Sequence, residues 1–200
     1  PAGDVTVKAE YKHECPSGKY TDVNENEWYH EAVDYVISHK MMIGISESEF
    51  MPKGSTSRGQ IVTILYRLEK EPEVSGGTEF EDVSAGSYYA EAVKWAESNE
   101  IMLGYGDGRF GPEDGITREQ LAAILYRYAE YKGYEIKGSE ELTGYTDAGK
   151  VSGWAEEAMK WSCGNGLILG GDGDKLDPQG GAERSQAAAI LMRFCETIGK

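Results

Sequence analysis

Arg58, Arg118 and Arg184 recur 60 and then 66 residues apart, each at the first position of a segment with helical apolar spacing. A cation there faces the positive end of the helix dipole, where Asp or Glu would be favoured by about 0.3–1 kcal/mol. Making the same locally unfavourable choice three times asks for a compensating partner. A helix start offers unpaired backbone N–H groups and positive potential, which suit an anion. A guanidinium adds a bidentate, charge-assisted grip on a carboxylate, each such hydrogen bond contributing about 1.5–3 kcal/mol. The pattern predicts three anion-binding points. The competing reading pairs these arginines with the chain's own surface carboxylates.

Other side chains recur beside them. Gln60, Gln120 and Gln186 follow each arginine by two positions. With Ser57 and Thr117, the first two fit a capping box, which explains them without a ligand; Glu183 precedes Arg184 and is a poorer N-cap. Trp28, Tyr88 and Trp154 could stack on a sugar face, but their helical spacing with Ala and Val favours the core, with a groove edge serving both ends. Asp22, Asp82 and Asp147 sit just before a first helix, where turn chemistry is the plain reading and accepting from sugar hydroxyls the alternative. Arg67, Arg127 and Arg193 fall late in a second helix, where a cation suits the dipole and a structural role suffices.

Composition excludes several classes. The 200 residues carry 35 Asp and Glu against 20 Lys and Arg, a net charge of −15, which argues against nucleic acid. No apolar run is long enough to span a bilayer, so no direct membrane insertion is expected. Cys15, Cys163 and Cys195 match no zinc spacing. Cys163 and Cys195 read as small buried hydrophobes, although one disulfide with a thiol left over also fits. "GGDGDKLDP" lacks the order and terminal Glu of an EF-hand. His13, His30 and His39 have no nucleophile motif beside them. No metal or cofactor is expected, and no enzyme either: repeated sites suit binding better than one asymmetric catalytic centre. A carboxylate-pair glycosidase is the enzymatic alternative.

The elements that must hold these residues come in three copies. "YTDVNENEWYHEAVDYVISHKMMIG", "FEDVSAGSYYAEAVKWAESNEIMLG" and "YTDAGKVSGWAEEAMKWSCGNGLILG" each lead through a Pro into "SRGQIVTILYRLEK", "TREQLAAILYRYAE" or "ERSQAAAILMRFCE". Each copy is a helix–loop–helix that buries one stripe per helix, too little to offset chain entropy alone. An all-α fold with pseudo-threefold character follows, with the apolar second helices at its centre. Residues 1–19 form a lead segment, and 20–75, 76–138 and 139–200 the three repeats of one cooperative domain. The start at Pro1, with no signal peptide, reads as a processed or excised piece.

The pattern Phe/Tyr-x-Asp-Val, an aromatic six residues on, Gly-Asp-Gly-x-Phe-x-Pro, Ile-Thr-Arg-x-Gln and Leu-x-Arg resembles the S-layer homology domain over residues 20–200. That resemblance implies a three-pronged spindle with a central bundle of second helices and grooves between repeats. It also implies noncovalent anchoring on a Gram-positive cell wall, outside the cell, through secondary cell-wall polysaccharide carrying a pyruvate ketal on N-acetylmannosamine. By position, the family's ligand arginine falls on Arg58, Arg118 and Arg184. A larger surface protein attached N-terminally is implied too. The copies differ: "ISESEF" lacks Gly-Asp-Gly, Tyr88 replaces Trp, and Ala148 replaces Val. The alternative function is a surface-layer scaffold whose grooves hold a peptide or neighbouring subunit; a structural spacer is a third.

Overall fold

Every second helix starts on a carbonyl supplied by another repeat. The computed structural model describes residues 15–171 and 173–199. Six α-helices make up the fold: α1 (His30–Ser38), α2 (Arg58–Leu68), α3 (Ala90–Ser98), α4 (Arg118–Tyr131), α5 (Glu156–Gly164) and α6 (Arg184–Thr197). Short 3₁₀ turns at Leu142–Gly144, Ala148–Lys150 and Gly153–Ala155 lead into α5. The described residues form no strands, only isolated bridges. The fold is all-α, as expected.

The main helix seams join different repeats. α1 packs on α6, α3 on α2 and α5 on α4, so each first helix lies against the second helix of the preceding repeat, and the third repeat closes on the first. A single core results. Ile61, Leu65, Leu121, Leu125, Ala187 and Leu191 of the second helices are fully buried, as are Val33, Val93 and Met159 of the first. Phe194 on α6 touches both Tyr128 on α4 and Trp161 on α5.

The backbone shows the threefold plan best. Thr56 N–H donates to Ala182 at 3.0 Å, Ala182 to Ile116 at 2.8 Å, and Ile116 back to Thr56 at 2.8 Å. This ring of three peptides is fully buried. Where the other copies place Ile and Ala, the first has Thr56, whose hydroxyl lacks a partner among the described residues. A buried unmade hydrogen bond costs about 1–3 kcal/mol. Thr56→Val is therefore expected to raise unfolding stability by about 1 kcal/mol, measured by urea denaturation; a loss of stability would show that the hydroxyl has a partner.

Two backbone features recur at special dihedrals. Lys40, Glu100 and Gly166 end the first helices in the left-handed region, at φ of 58°, 57° and 66°. Only the third copy uses the residue without a Cβ penalty there. Met51, Gly111 and Asp177, each just before the loop proline, also have positive φ.

Candidate functional site

The three arginines reach across repeat boundaries. Arg58 donates from Nε to the Phe110 carbonyl at 2.8 Å and from Nη2 to Leu103 at 3.0 Å. Arg118 bonds Leu176 at 2.7 Å and Leu169 at 3.1 Å in the same way. Arg184 closes the ring to Phe50 at 2.8 Å and Ile43 at 2.6 Å. Each guanidinium thus staples its own repeat to the next. None of the three pairs with a carboxylate among the described residues. Among the described residues the competing reading, an ion pair with the chain's own acids, is not realised.

The expected anion site at the helix start is also corrected. At α2, Arg58 N–H donates to Asp114 and Gly59 N–H to Pro112; at α4, Arg118 and Glu119 use Gly180 and Pro178; at α6, Arg184 and Ser185 use Gly54 and Pro52. The next amide is capped by Ser57 at α2 and by Thr117 at α4. These N–H groups are satisfied by the following repeat's loop, so no ligand is needed for them. No ion pair among the described residues cancels the charge of the three arginines, although Asp114 and Asp82 near Arg58, Asp177 and Asp147 near Arg118, and Asp22 near Arg184 offset part of it at longer range. Carbonyls solvate a guanidinium without neutralising it, and burial pulls all three arginines below their ordinary pKa. They remain cations nonetheless.

Beside each staple lies an open groove built from three repeats. The first groove has Ile43, Gln60, Ile64 and Arg67 from the first repeat, Tyr88 from the second and Arg184 from the third, with a cavity volume of about 350 Å³. The second has Leu103, Gln120, Ile124 and Arg127, with Trp154 and Arg58, and about 500 Å³. The third has Leu169, Gln186, Ile190 and Arg193, with Trp28 and Arg118, and about 790 Å³; Lys150 and Lys175 line it as well, and so do Asp147 and Asp177. All the chain's arginines but Arg109 stand in these grooves. In a chain of net charge −15, that gathers in the grooves the local positive charge an anionic ligand needs against an overall field that repels it.

Several sequence-based expectations change here. Trp28, Tyr88 and Trp154 are not core residues: they are 62%, 61% and 57% exposed. The reason is local. The first helices begin two residues after Trp28 and Tyr88, and Trp154 lies in the 3₁₀ turn before α5, so helical spacing does not apply. These rings stand at groove rims instead. Arg67, Arg127 and Arg193, assigned to the dipole alone, line the same grooves. Their recurrence nine residues after each staple arginine was the available signal.

The glutamines do cap. Their side chains accept from Ser57, Thr117 and Glu183 N–H, each at 3.1 Å, so the third copy keeps this half of the box despite its Glu. Capping engages the amide oxygen, while each Gln side chain also lines a groove. Asp22, Asp82 and Asp147 hold the loops, as the turn reading expects. Asp22 accepts from Phe50 and Met51 N–H at 2.9 and 2.6 Å, and Asp82 from Phe110 and Gly111, both at 2.8 Å. Asp147 accepts from Leu176 and Asp177 at 2.8 and 2.9 Å. The positive φ before each proline presents both amides to one carboxylate. Burial pushes the Asp147 carboxyl up, but the two amide bonds outweigh it and hold it below the usual range. Both oxygens of each aspartate are engaged in this way, while Asp147 also lines the third groove.

Cys15, Cys163 and Cys195 are all free thiols, so the disulfide alternative is not realised. Burial raises the Cys163 thiol to about 11 and moves Cys195 in the same direction. Cys163 is buried as expected, whereas Cys195 is half-buried. Among the described residues no helix is long and apolar enough to cross a membrane. His13 lies outside the described residues.

Comparison with known proteins fits this threefold construction. The chain is 26% identical over 99% of its length to an amylopullulanase of Thermoanaerobacterium thermosulfurigenes, covering 11% of that protein. It is 28% identical over 84% of its length to a surface-layer 125 kDa protein of Lysinibacillus sphaericus, covering 14%. A cellulosome-anchoring protein of Acetivibrio thermocellus is 27% identical over 74% of the chain, which covers 33% of it. The chain thus spans a third or less of these relatives. The S-layer homology domain model matches residues 19–62, 79–122 and 144–188, one segment per repeat and more than half of the whole. The chain belongs to the S-layer homology domain family.

Proposed function

We propose that the chain is a noncovalent, non-catalytic cell-surface anchor whose inter-repeat grooves bind an anionic, pyruvylated secondary cell-wall polysaccharide. One observation carries this reading: each groove holds two arginines, and its staple guanidinium is solvated by carbonyls but not neutralised. Nη1 of each staple makes no hydrogen bond among the described residues, which leaves a donor for a ligand carboxylate. The second arginine supplies another, although Arg67 also leans on Glu71 at 3.8 Å and Arg193 donates from Nη1 to the Leu167 carbonyl at 3.2 Å. The exposed aromatic at the rim offers a face for a sugar ring. A polymer repeating the same anionic sugar could occupy several weak grooves at once, with avidity about 10²–10⁴ above single-site affinity.

The names of relatives support the same setting, since one is a surface-layer protein and another anchors a cellulosome. In this reading the chain works at the bacterial cell wall, outside the cell, as the attachment part of a larger surface protein. The amylopullulanase resemblance, which covers only 11% of that protein, then concerns its anchor rather than its catalytic part. A scaffold that seats a peptide draws on the exposed Ile43, Leu103 and Leu169 along the grooves. Paired arginines in all three grooves favour the anionic sugar.

The test compares purified cell-wall polymer before and after removal of its pyruvate ketal in a co-sedimentation assay. Loss of the carboxylate is expected to weaken binding by at least tenfold, about 1.4 kcal/mol. Undiminished binding of the stripped polymer would favour neutral-sugar recognition, and binding to neither would favour the scaffold.

A further inference from the structure

The lead segment and the first repeat together carry a side-chain cluster whose α1 positions are not repeated in the other two copies. Cys15 Sγ lies 3.1 Å from His30 Nε2 and 3.3 Å from both carboxylate oxygens of Asp34. One ligand atom from each of the three residues falls within 4.8 Å of the others. His30 and Asp34 stand four residues apart on α1 and so share a face. Asp34 is held by the Ser17 N–H, which donates to Oδ1 at 2.8 Å, and Oδ2 lies 3.8 Å from His30 Nε2. The corresponding positions are Ala90 and Lys94 in the second repeat and Glu156 and Lys160 in the third. There the lysines pair with Glu91 and Glu156. The shared fold therefore does not require a histidine, an aspartate or a nearby thiol at this place.

We propose that Cys15, His30 and Asp34 bind one divalent transition-metal ion of the zinc class. Thiolate, imidazole and carboxylate are zinc's protein ligands, with bonds of about 2.3, 2.0–2.1 and 2.0–2.2 Å. A tetrahedron with those bonds has ligand–ligand edges of about 3.3–3.6 Å. The observed separations of 3.1, 3.3 and 3.8 Å need only small side-chain adjustments to match. Sulfur and nitrogen donors argue against calcium and magnesium. The side chains of His30 and Asp34 are 21% and 22% exposed, sheltered yet reachable by an ion. On binding, the Cys15 thiol gives its proton to solvent, so one thiolate and one carboxylate balance the charge of the ion. Water fills the fourth position.

A cysteine nucleophile is the other chemistry such residues suggest, and the geometry opposes it. Asp34 faces the same Nε2 that faces the thiol, so it does not orient the imidazole through Nδ1. The bound ion would instead clamp the turn around Cys15 onto α1, joining the lead segment to the first repeat. Sequence spacing gave no sign of this site, because the ligands come together only when that turn docks on the helix.

The test is titration of the chelator-stripped, reduced chain with Co²⁺ and then Zn²⁺. One equivalent of Co²⁺ is expected to produce a thiolate-to-metal charge-transfer band that Zn²⁺ abolishes, and Zn²⁺ is expected to raise the unfolding temperature. Cys15→Ala should lose the band and bind Zn²⁺ at least about 10–100-fold more weakly, the loss usual even for an outer partner of a metal ligand. The double variant His30→Ala/Asp34→Lys places second-repeat residues in a fold that already accepts them, and it should behave likewise with unchanged far-UV circular dichroism. Cys163→Ala should keep the band. Absence of the band in the unaltered chain, or its persistence in Cys15→Ala, would overturn the proposal.

Discussion

Arg58→Ala is expected to lose both fold stability and binding in the second groove, whereas Arg127→Ala loses binding alone. The two side chains line the same groove but differ in what else they hold. Arg58 is buried and donates to the carbonyls of Phe110 and Leu103 in the next repeat. Two charge-assisted bonds contribute about 3–6 kcal/mol, and relief of the buried cation's desolvation offsets part of their loss. A net destabilisation of about 3 kcal/mol follows. Arg127 is half-buried and makes no hydrogen bond or ion pair among the described residues. Its removal should leave thermal unfolding within about 0.5 kcal/mol of the parent. It should still weaken groove affinity about tenfold or more, the value of one lost charge-assisted bond to a carboxylate. Unfolding curves and polymer binding on both variants check this. Equal destabilisation would contradict the staple, and full binding by Arg127→Ala would remove that arginine from the site.

Deletion of residues 139–200 is expected to abolish cooperative unfolding of what remains. The deletion takes away the Gly180 and Pro178 carbonyls that start α4, and the Leu176 and Leu169 carbonyls that hold Arg118. It also bares the faces of α4 and α1 that pack on α5 and α6. The peptide ring loses Ala182, one of its three members. An open stack of repeats would lose one unit and keep the others' stability. A ring closed through cross-repeat helix pairs loses two interfaces at once. Calorimetry should show no sharp transition for residues 1–138, with amide exchange close to that of an unfolded chain. A cooperative transition with protected amides in α2 and α3 would contradict a single folding unit.

Much of this organisation was legible in the chain itself, and what was not has physical causes. Repeat lengths, helix pairs and the arginine positions follow from apolar period and exact recurrence of landmarks. Capping at Ser57 and Thr117 was visible because a capping box is local. The pairing of α1 with α6, and of each staple arginine with the next repeat, is not local and leaves no periodic trace. That is why the helix start read as an open anion site when Gly54, Asp114 and Gly180 already occupy it. Trp28 was misplaced for a different reason: the helix boundary falls at His30, and a two-residue error at a boundary changes which face a large ring takes. The second arginine of each groove was hidden by a sufficient explanation, since a cation near a helix C-terminus needs no further cause.

In the proposed binding mode the staple and second arginines of each groove hold one ligand carboxylate between them. A crystal soaked with the pyruvylated monosaccharide is expected to show density for the ketal carboxylate within hydrogen-bond distance of Arg118 Nη1 and the Arg193 guanidinium, with the sugar ring against Trp28 in the third groove. Sugar bound elsewhere, or bound there with its carboxylate turned away from both arginines, would contradict it.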